Sequence, residues 1–215
     1  METTSTSFIV AALTRAVVEH RLQPGAKLVE QKLADEFGVS RTLVRQALYQ
    51  LSQNRLVRIE PARGAFVAAP SATEAAQVFA VRRILETGMV RAFVEQADAA
   101  AIDALQQHIG QERAAVSDTD VAARTALLGD FHVRMARLLG NAVLADLLTD
   151  LNSRSALITL MYQSTSAATH SHEEHGAIME AICARDAALA VQRMESHLHN
   201  VESALTIPPT PQPRP

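Results

Sequence analysis

Two sets of side chains in this 215-residue sequence have types and spacings that do chemistry. The first is Ser40, Arg41, Thr42 and Arg45 in GVSRTLVRQALYQL, residues 38–51. If that stretch is a helix, Arg41, Thr42 and Arg45 fall on one side of its first turns. A guanidinium is a planar fork that meets guanine O6 and N7 with two bonds, and hydroxyls reach phosphate oxygens. The second set is His132, His175 and His197. His132 shares a stripe with Leu128, Met135, Ala136 and Leu139, His175 with Ile178, Met179 and Ile182, and His197 with Met194, Val201 and Leu205. Three inward imidazoles on three helices suit a transition metal with open positions. Periodicity alone favours three separate core histidines, because it does not show convergence. His199, among Glu195, Ser196 and Glu202, reads as exposed, His108 as lying at a polar edge, and His172 as solvent or rim.

The elements that must position these groups follow from caps, stops and period. Residues 8–20 read as a helix, Pro24-Gly25 as punctuation, and Glu30 to Phe37 as a short helix stopped by Gly38. Ser40 is an N-cap for a helix reaching about Asn54. Leu33, Val39, Val44 and Leu48 supply apolar contacts between the two helices, with small Ala34 at their crossing. LVRIE and AFVAA around PARG make a two-stranded hairpin with Arg63-Gly64 at its tip. That is helix-turn-helix spacing with a wing, whose arginine is free to enter a minor groove.

Pro70-Ser71 marks a boundary. From there the pattern is helical, in segments near 72–96, 99–116, 119–139, 142–163, 169–184 and 186–205. Asp98, Asp118 and Asp186 stand at N-cap positions and Gly140 at a stop. The fold expected is mostly α: an N-terminal winged helix-turn-helix over 1–70, an antiparallel α-helical bundle over 71–206, and a proline-rich disordered tail over 207–215.

Composition narrows the class. Hydrophobic residues make up 48% and aromatics only 4%, which favours helices over sheets. The single Cys183 rules out an internal disulfide framework. No apolar run approaches the roughly 20 residues of a membrane span, and METTSTSF has no signal-peptide pattern, so a cytoplasmic protein with no membrane partner is expected. Residues 1–70 carry nine Lys/Arg against six Asp/Glu, and residues 71–215 eleven against seventeen. A basic head on an acidic body points to an anionic partner for the head alone.

Residues 22–67, with PG before the second helix, then FGVSRT, then the RGA of the wing, resemble the winged helix of GntR-family bacterial transcription regulators. Leu43 stands where that family usually has proline, and Gln46 where it often has glutamate. The resemblance implies DNA contacts from Ser40, Arg41, Thr42, Arg45, Arg63 and Gly64, with Gln31 a weaker candidate. AVRRILETGMVRAFVEQA, GDFHVRMARLLGN, EEHGAIMEAI and AALAVQRMESHL resemble segments of the FCD-type ligand domain of the family's FadR branch. In that branch the three histidines hold a divalent metal, often zinc or nickel. Such members commonly have Asp or Asn four residues before the first histidine, and here that residue is Leu128. Asp130 points to the opposite side of the helix. A site of three histidines without a carboxylate suits zinc or nickel over magnesium, and is more positive, which suits an anionic effector.

The function implied is a homodimeric repressor on a palindromic operator, modulated by a small carboxylate metabolite. Arg82 and Arg154 are candidates for that carboxylate, with Asn152, Ser155 and Tyr162 adding hydrogen bonds. Arg82 paired to Glu86 one turn on is an equal reading. Two alternatives remain: a metal-free bundle serving for dimerisation and ligand binding, and a zinc hydrolase, for which no general base stands out.

Overall fold

The computed structural model describes residues 5–19, 21–115, 121–162 and 167–207. The chain divides into two compact units, residues 1–70 and 71–215.

The first unit holds α1 (Thr6–Val18), β1 (Lys27–Leu28), α2 (Glu30–Phe37), α3 (Arg41–Gln53), β2 (Val57–Glu60) and β3 (Gly64–Val67). Local chemistry sets the helix-turn-helix. Gly38 takes a left-handed φ of 64°, which costs glycine little. Gly38 N–H then donates to the Asp35 carbonyl and Val39 N–H to that of Ala34, so the end of α2 is closed. Ser40 Oγ accepts from Leu43 N–H at 3.3 Å and starts α3. Buried Leu33, Ala34, Val44, Ala47 and Leu48 hold the two helices together. The sheet has three strands in the order β1-β3-β2, all antiparallel, where the sequence suggested a hairpin of two. The extra strand, β1, is two residues long, too short to show a period, and only its pairing with β3 makes it a strand.

The second unit is helical throughout its described residues: α4 (Ala72–Gln96), α5 (Ala99–Ala115), α6 (Val121–Leu138), α7 (Ala142–Tyr162), α8 (Ala167–Cys183) and α9 (Ala187–Ser203). Three-residue turns join α6 to α7 and α8 to α9, which makes each pair antiparallel neighbours. Asp186 caps α9 by accepting from Leu189 N–H, and Asp98 accepts from Ala101 N–H at the start of α5. Asp118 lies outside the described residues. Arg185 sits in the turn after α8 with φ 57°, an uncommon conformation for a side chain of its size. Its guanidinium donates to the carbonyls of Val94 and Ala97 at 2.7 and 2.8 Å, closing the end of α4. The core gathers Met89, Val90, Phe93, Phe131, Met135, Leu148, Ile178, Ile182, Met194 and Leu198 from five helices. Ile207, where a disordered tail was expected to begin, packs against Ala75, Val78 and Ile158, and residues 208–215 lie outside those described.

Candidate functional site

In the first unit the outer face of α3 presents Arg41, Thr42, Arg45, Gln46, Tyr49 and Gln50, all exposed. Both arginines are held in place. Arg45 Nε and Nη2 donate to the two oxygens of Glu30 at 3.0 and 2.7 Å, and Arg41 Nη2 donates to Glu30 Oε2 at 3.3 Å. The hydrogen bond from Arg45 is the main cause holding the Glu30 carboxyl below its usual range. Glu30 escaped the sequence reading because its partners lie 11 and 15 residues away. Gln31 is exposed and donates to Asp35 at 2.8 Å. Ser40 spends its acceptor on the α3 cap and keeps its own proton to donate. At the wing, Arg63 pairs with Glu60 and lies over the Phe66 ring, 5.5 Å from its centroid. Gly64 opens β3 with φ 102°, and a side chain there would be strained.

In the second unit the structure brings together what periodicity left open. One nitrogen from each of His132, His175 and His197 lies within 4.8 Å of the others, all buried. Nε2 of His175 and Nε2 of His197 are 3.3 Å apart. Behind each ring stands a glutamate. Glu86 Oε2 is 2.5 Å from His132 Nδ1, although off the N–H direction, so that nitrogen has no well-aimed hydrogen bond. His175 Nδ1 lies 3.0 Å from both oxygens of Glu112, and His197 Nδ1 2.8 Å from Glu174. An ionised carboxylate only accepts, so the Nδ1 atoms of His175 and His197 carry the protons and both Nε2 atoms turn a lone pair inward.

Burial is the largest influence on every group here. It pushes His132 and His197 down to about 4 and His175 down as well, against the pull of the carboxylates. It pushes Glu112 up, but hydrogen bonds from His108 and His175 outweigh it and hold the group at about 2. Glu86 is below the usual range because Arg82 and His132 outweigh its burial, and Glu174 because His197 and Asn200 do. The rings are therefore neutral and the glutamates ionised.

That donor set fits a metal. Lone pairs facing at 3.3 Å repel unless a cation lies between them, and a tetrahedral ion with bonds of about 2.0–2.1 Å sets its ligands roughly 3.3–3.4 Å apart. A carboxylate behind each imidazole is the usual support for a metal-ligating histidine. The three glutamates also correct the expectation of an excess positive charge, because the acids missing from the ligand set stand one layer further out. Their signal in sequence was an acid on an apolar helical stripe, as with Glu86 between Arg82 and Met89. His108 is a second correction. It is fully buried, not at a polar edge, with Nε2 3.1 Å from the Leu127 carbonyl and 3.3 Å from Glu112. His172 is at the rim, 3.4 Å from Glu112.

A cavity of about 60 Å³ opens beside the three rings, lined also by Arg82, Leu128, Asn152, Ser155, Thr159 and Ser171. Of the effector candidates, Arg82 and Asn152 line it, as does Ser155. Arg82 is also the ion-pair partner of Glu86 at 2.6 Å and donates to Ser155 Oγ at 2.8 Å. Arg154 and Tyr162 are not in its lining. Arg154 turns to Asp150 at 3.0 Å and Glu74 at 3.7 Å, and Tyr162 packs against the cluster of Ala75, Val78 and Ile158. Leu128, four residues before His132, is part of the cavity wall.

Fold and site together define a class: a winged-helix DNA-binding unit followed by an all-helical domain with a histidine-lined cavity. Residues 5–67 match the bacterial regulatory proteins of the gntR family, and residues 77–200 match the FCD domain. The chain belongs to the gntR family of bacterial transcription regulators, with an FCD domain as its second part. It is similar to the HTH-type transcriptional repressor RspR of Escherichia coli strain K12, 24% identical over 198 residues that cover 92% of this chain and 87% of RspR. It is also similar to the HTH-type transcriptional regulator LutR of Bacillus subtilis strain 168, 26% identical over 207 residues, covering 86% of this chain and 94% of LutR. Its fold is that of a GntR transcriptional regulator from Rhodococcus sp. RHA1, with a TM-score of 0.65, 24% identity, and 94% and 97% of the two chains covered. The chain is thus a transcription regulator and not an enzyme, which sets the hydrolase reading aside. No helix among the described residues is long and apolar enough to cross a membrane.

Proposed function

We propose that this regulator is a cytoplasmic homodimer that binds a palindromic operator, represses from it, and releases it when a small carboxylate occupies the bundle beside a zinc or nickel ion. The observation that carries the sensor half is the convergence of three neutral imidazoles, each backed by a buried or half-buried glutamate. His132, His175 and His197 would hold the ion, and Glu86, Glu112 and Glu174 orient the rings and balance its charge. The ion supplies a Lewis-acidic position for a carboxylate oxygen. Arg82 and Ser155 shape the wall next to it. On the DNA side, Arg41 and Arg45 read base edges, Ser40, Thr42 and Gln31 meet phosphates, and Arg63 with Gly64 enters the minor groove. A ligand changes occupancy only by favouring one arrangement of the two heads over another. The test measures metal in protein purified without chelators, then operator affinity with and without added acid. Metal at one ion per chain, lost in a His132/His175/His197 triple alanine variant, supports the centre. Equal and negligible metal in both proteins refutes it.

Leu128 in place of an acidic ligand favours a second reading, in which the same DNA-binding regulator carries a metal-free ligand and dimerisation domain. Metal content of the wild-type protein separates the two.

A further inference from the structure

The wing carries a basic surface that its hairpin alone does not account for. In the three-stranded sheet Lys27 on β1 and Arg58 on β2 both stand opposite Phe66 on β3, and Glu60 stands opposite Gly64. Residues directly opposite in an antiparallel pair share a face. Leu28, Val57, Ala65 and Val67, at the alternate positions, are buried. Lys27, Arg58, Glu60 and Phe66 therefore lie together on the outer face. Lys27 escaped the sequence reading because its strand is two residues long and its neighbours come from much later in the chain.

The lysine reaches along that face to the tip of the wing. Its Cε lies 3.7 Å from the point where a side chain on Gly64 would begin, and its Nζ lies 5.8 Å from the centroid of the Phe66 ring. Arg63 lies 5.5 Å from the same centroid. One ring thus gathers two cations, each inside the roughly 6 Å over which an aromatic face attracts positive charge. Glu60 answers both arginines, Arg58 at 2.7 Å and Arg63 alongside. Lys27 has no acidic partner among the described residues, and it is exposed. The face therefore sets three cations against one carboxylate, and the unanswered charge is that of the lysine. Such an excess suits a polyanion.

We propose that Lys27 is a DNA contact of the wing: its ammonium meets a backbone phosphate bordering the groove that Arg63 and Gly64 enter, and Phe66 is the residue that positions it. The proposal rests on the reading of the wing as a minor-groove contact. An ammonium is a point charge on a flexible stem, which suits a phosphate and carries no sequence information. The ring and the bare backbone of Gly64 limit where the stem runs, so less side-chain freedom is lost when DNA arrives. The wing then combines a guanidinium at its tip with a phosphate anchor supplied by a strand from outside the hairpin.

The test uses the full-length protein and two duplexes, one selected by wild type from a random-sequence pool and one its scrambled counterpart. Fluorescence anisotropy follows affinity as salt is raised. Lys27→Met keeps the stem and removes the charge. It is expected to weaken binding to both duplexes about three- to tenfold and to lower the slope of log affinity against log salt by about one, with the preference between them unchanged. Lys27→Arg is expected to keep the wild-type slope. Phe66→Leu is expected to weaken binding about two- to threefold at the wild-type slope, because both charges remain and only their placement is lost. Arg193→Gln, exposed on α9, controls for net charge and is expected to change nothing. Wild-type affinity and slope in Lys27→Met overturn the proposal, and so does an equal loss in Arg193→Gln. If Arg63→Ala weakens binding while Lys27→Met does not, the wing reading stands and the role of Lys27 falls. If neither weakens it, both fall. Lys27→Met, at an exposed position, decides even if Phe66→Leu does not fold.

Discussion

Both halves of the molecule use glutamate to hold a basic side chain, in opposite surroundings. On the DNA-binding unit, Glu30 grips Arg45 and Arg41 at the surface, where the arginine side chains are 65% and 58% exposed. In the bundle, Glu86 and Glu112 grip His132, Arg82, His108 and His175 in complete burial. Water screens the first set, so its pairs contribute little stability and exchange readily for phosphate or guanine. The second set has no water to fall back on, and removing one partner strands the other. On the proposed reading of α3 as the DNA-reading helix, the surface glutamate would hold the two guanidinium groups side by side until DNA competes for them. The buried glutamates determine tautomer, ring direction and charge once, at folding.

The sharpest way to break this comparison is Glu86→Gln. It leaves Arg82 without its counter-charge inside the bundle and is expected to destabilise by about 3–5 kcal/mol. Thermal melting of the variant, followed by circular dichroism, checks it, and a loss under about 1 kcal/mol would place Glu86 in a much wetter setting than its burial indicates.

Next in size is the pair Arg41→Ala and Arg45→Ala combined. Two lost base-reading forks are expected to weaken operator binding about a hundredfold or more, with metal content unchanged. Fluorescence anisotropy on operator and scrambled duplexes reads the change, and undiminished sequence preference would remove these residues from base reading.

Glu112→Gln and Glu174→Gln keep shape but take away the acceptor charge behind one ring. Metal affinity, measured by chelator competition, is expected to fall about 10- to 100-fold in each. Glu174 is partly exposed where Glu112 is not, so the loss should be smaller at Glu174. The reverse order would mean that burial does not govern this support.

The smallest effect belongs to Glu30→Gln. It removes the negative charge that the two arginines share and loosens the hold on both. Non-specific DNA binding should rise about two- to threefold, while the ratio of operator to non-specific affinity falls by less than tenfold. A fall as large as that of the double arginine variant would make Glu30 a reader in its own right.

How much of this was legible differs along the chain. The helix-turn-helix was readable because its signals are local: Gly38 for a left-handed turn, Ser40 for a cap, and apolar positions one turn apart. The strand at Lys27–Leu28 was not, since two residues carry no period and their partner lies in β3, nearly 40 residues on. The inward face of His132, His175 and His197 was readable from stripes. The polar-edge reading of His108 failed because its environment comes from Leu127 and Phe131 on α6, which no pattern along α5 reveals. Arg82 satisfied two readings at once, a pair with Glu86 and a place in the cavity wall, because one long side chain spans both. Arg154, of equal promise in the sequence, is turned toward Asp150 and Glu74 instead.

By itself the sequence determined the helices, most of their buried faces and the family, because caps, turns and periods act between residues a few positions apart. Only the tertiary structure decided that three imidazoles from α6, α8 and α9 share one point and that glutamates from α4, α5 and α8 stand behind them. The rotation and offset of packed helices set those meetings. They depend on how all the side chains of a core fill space together, which no single stretch of chain encodes.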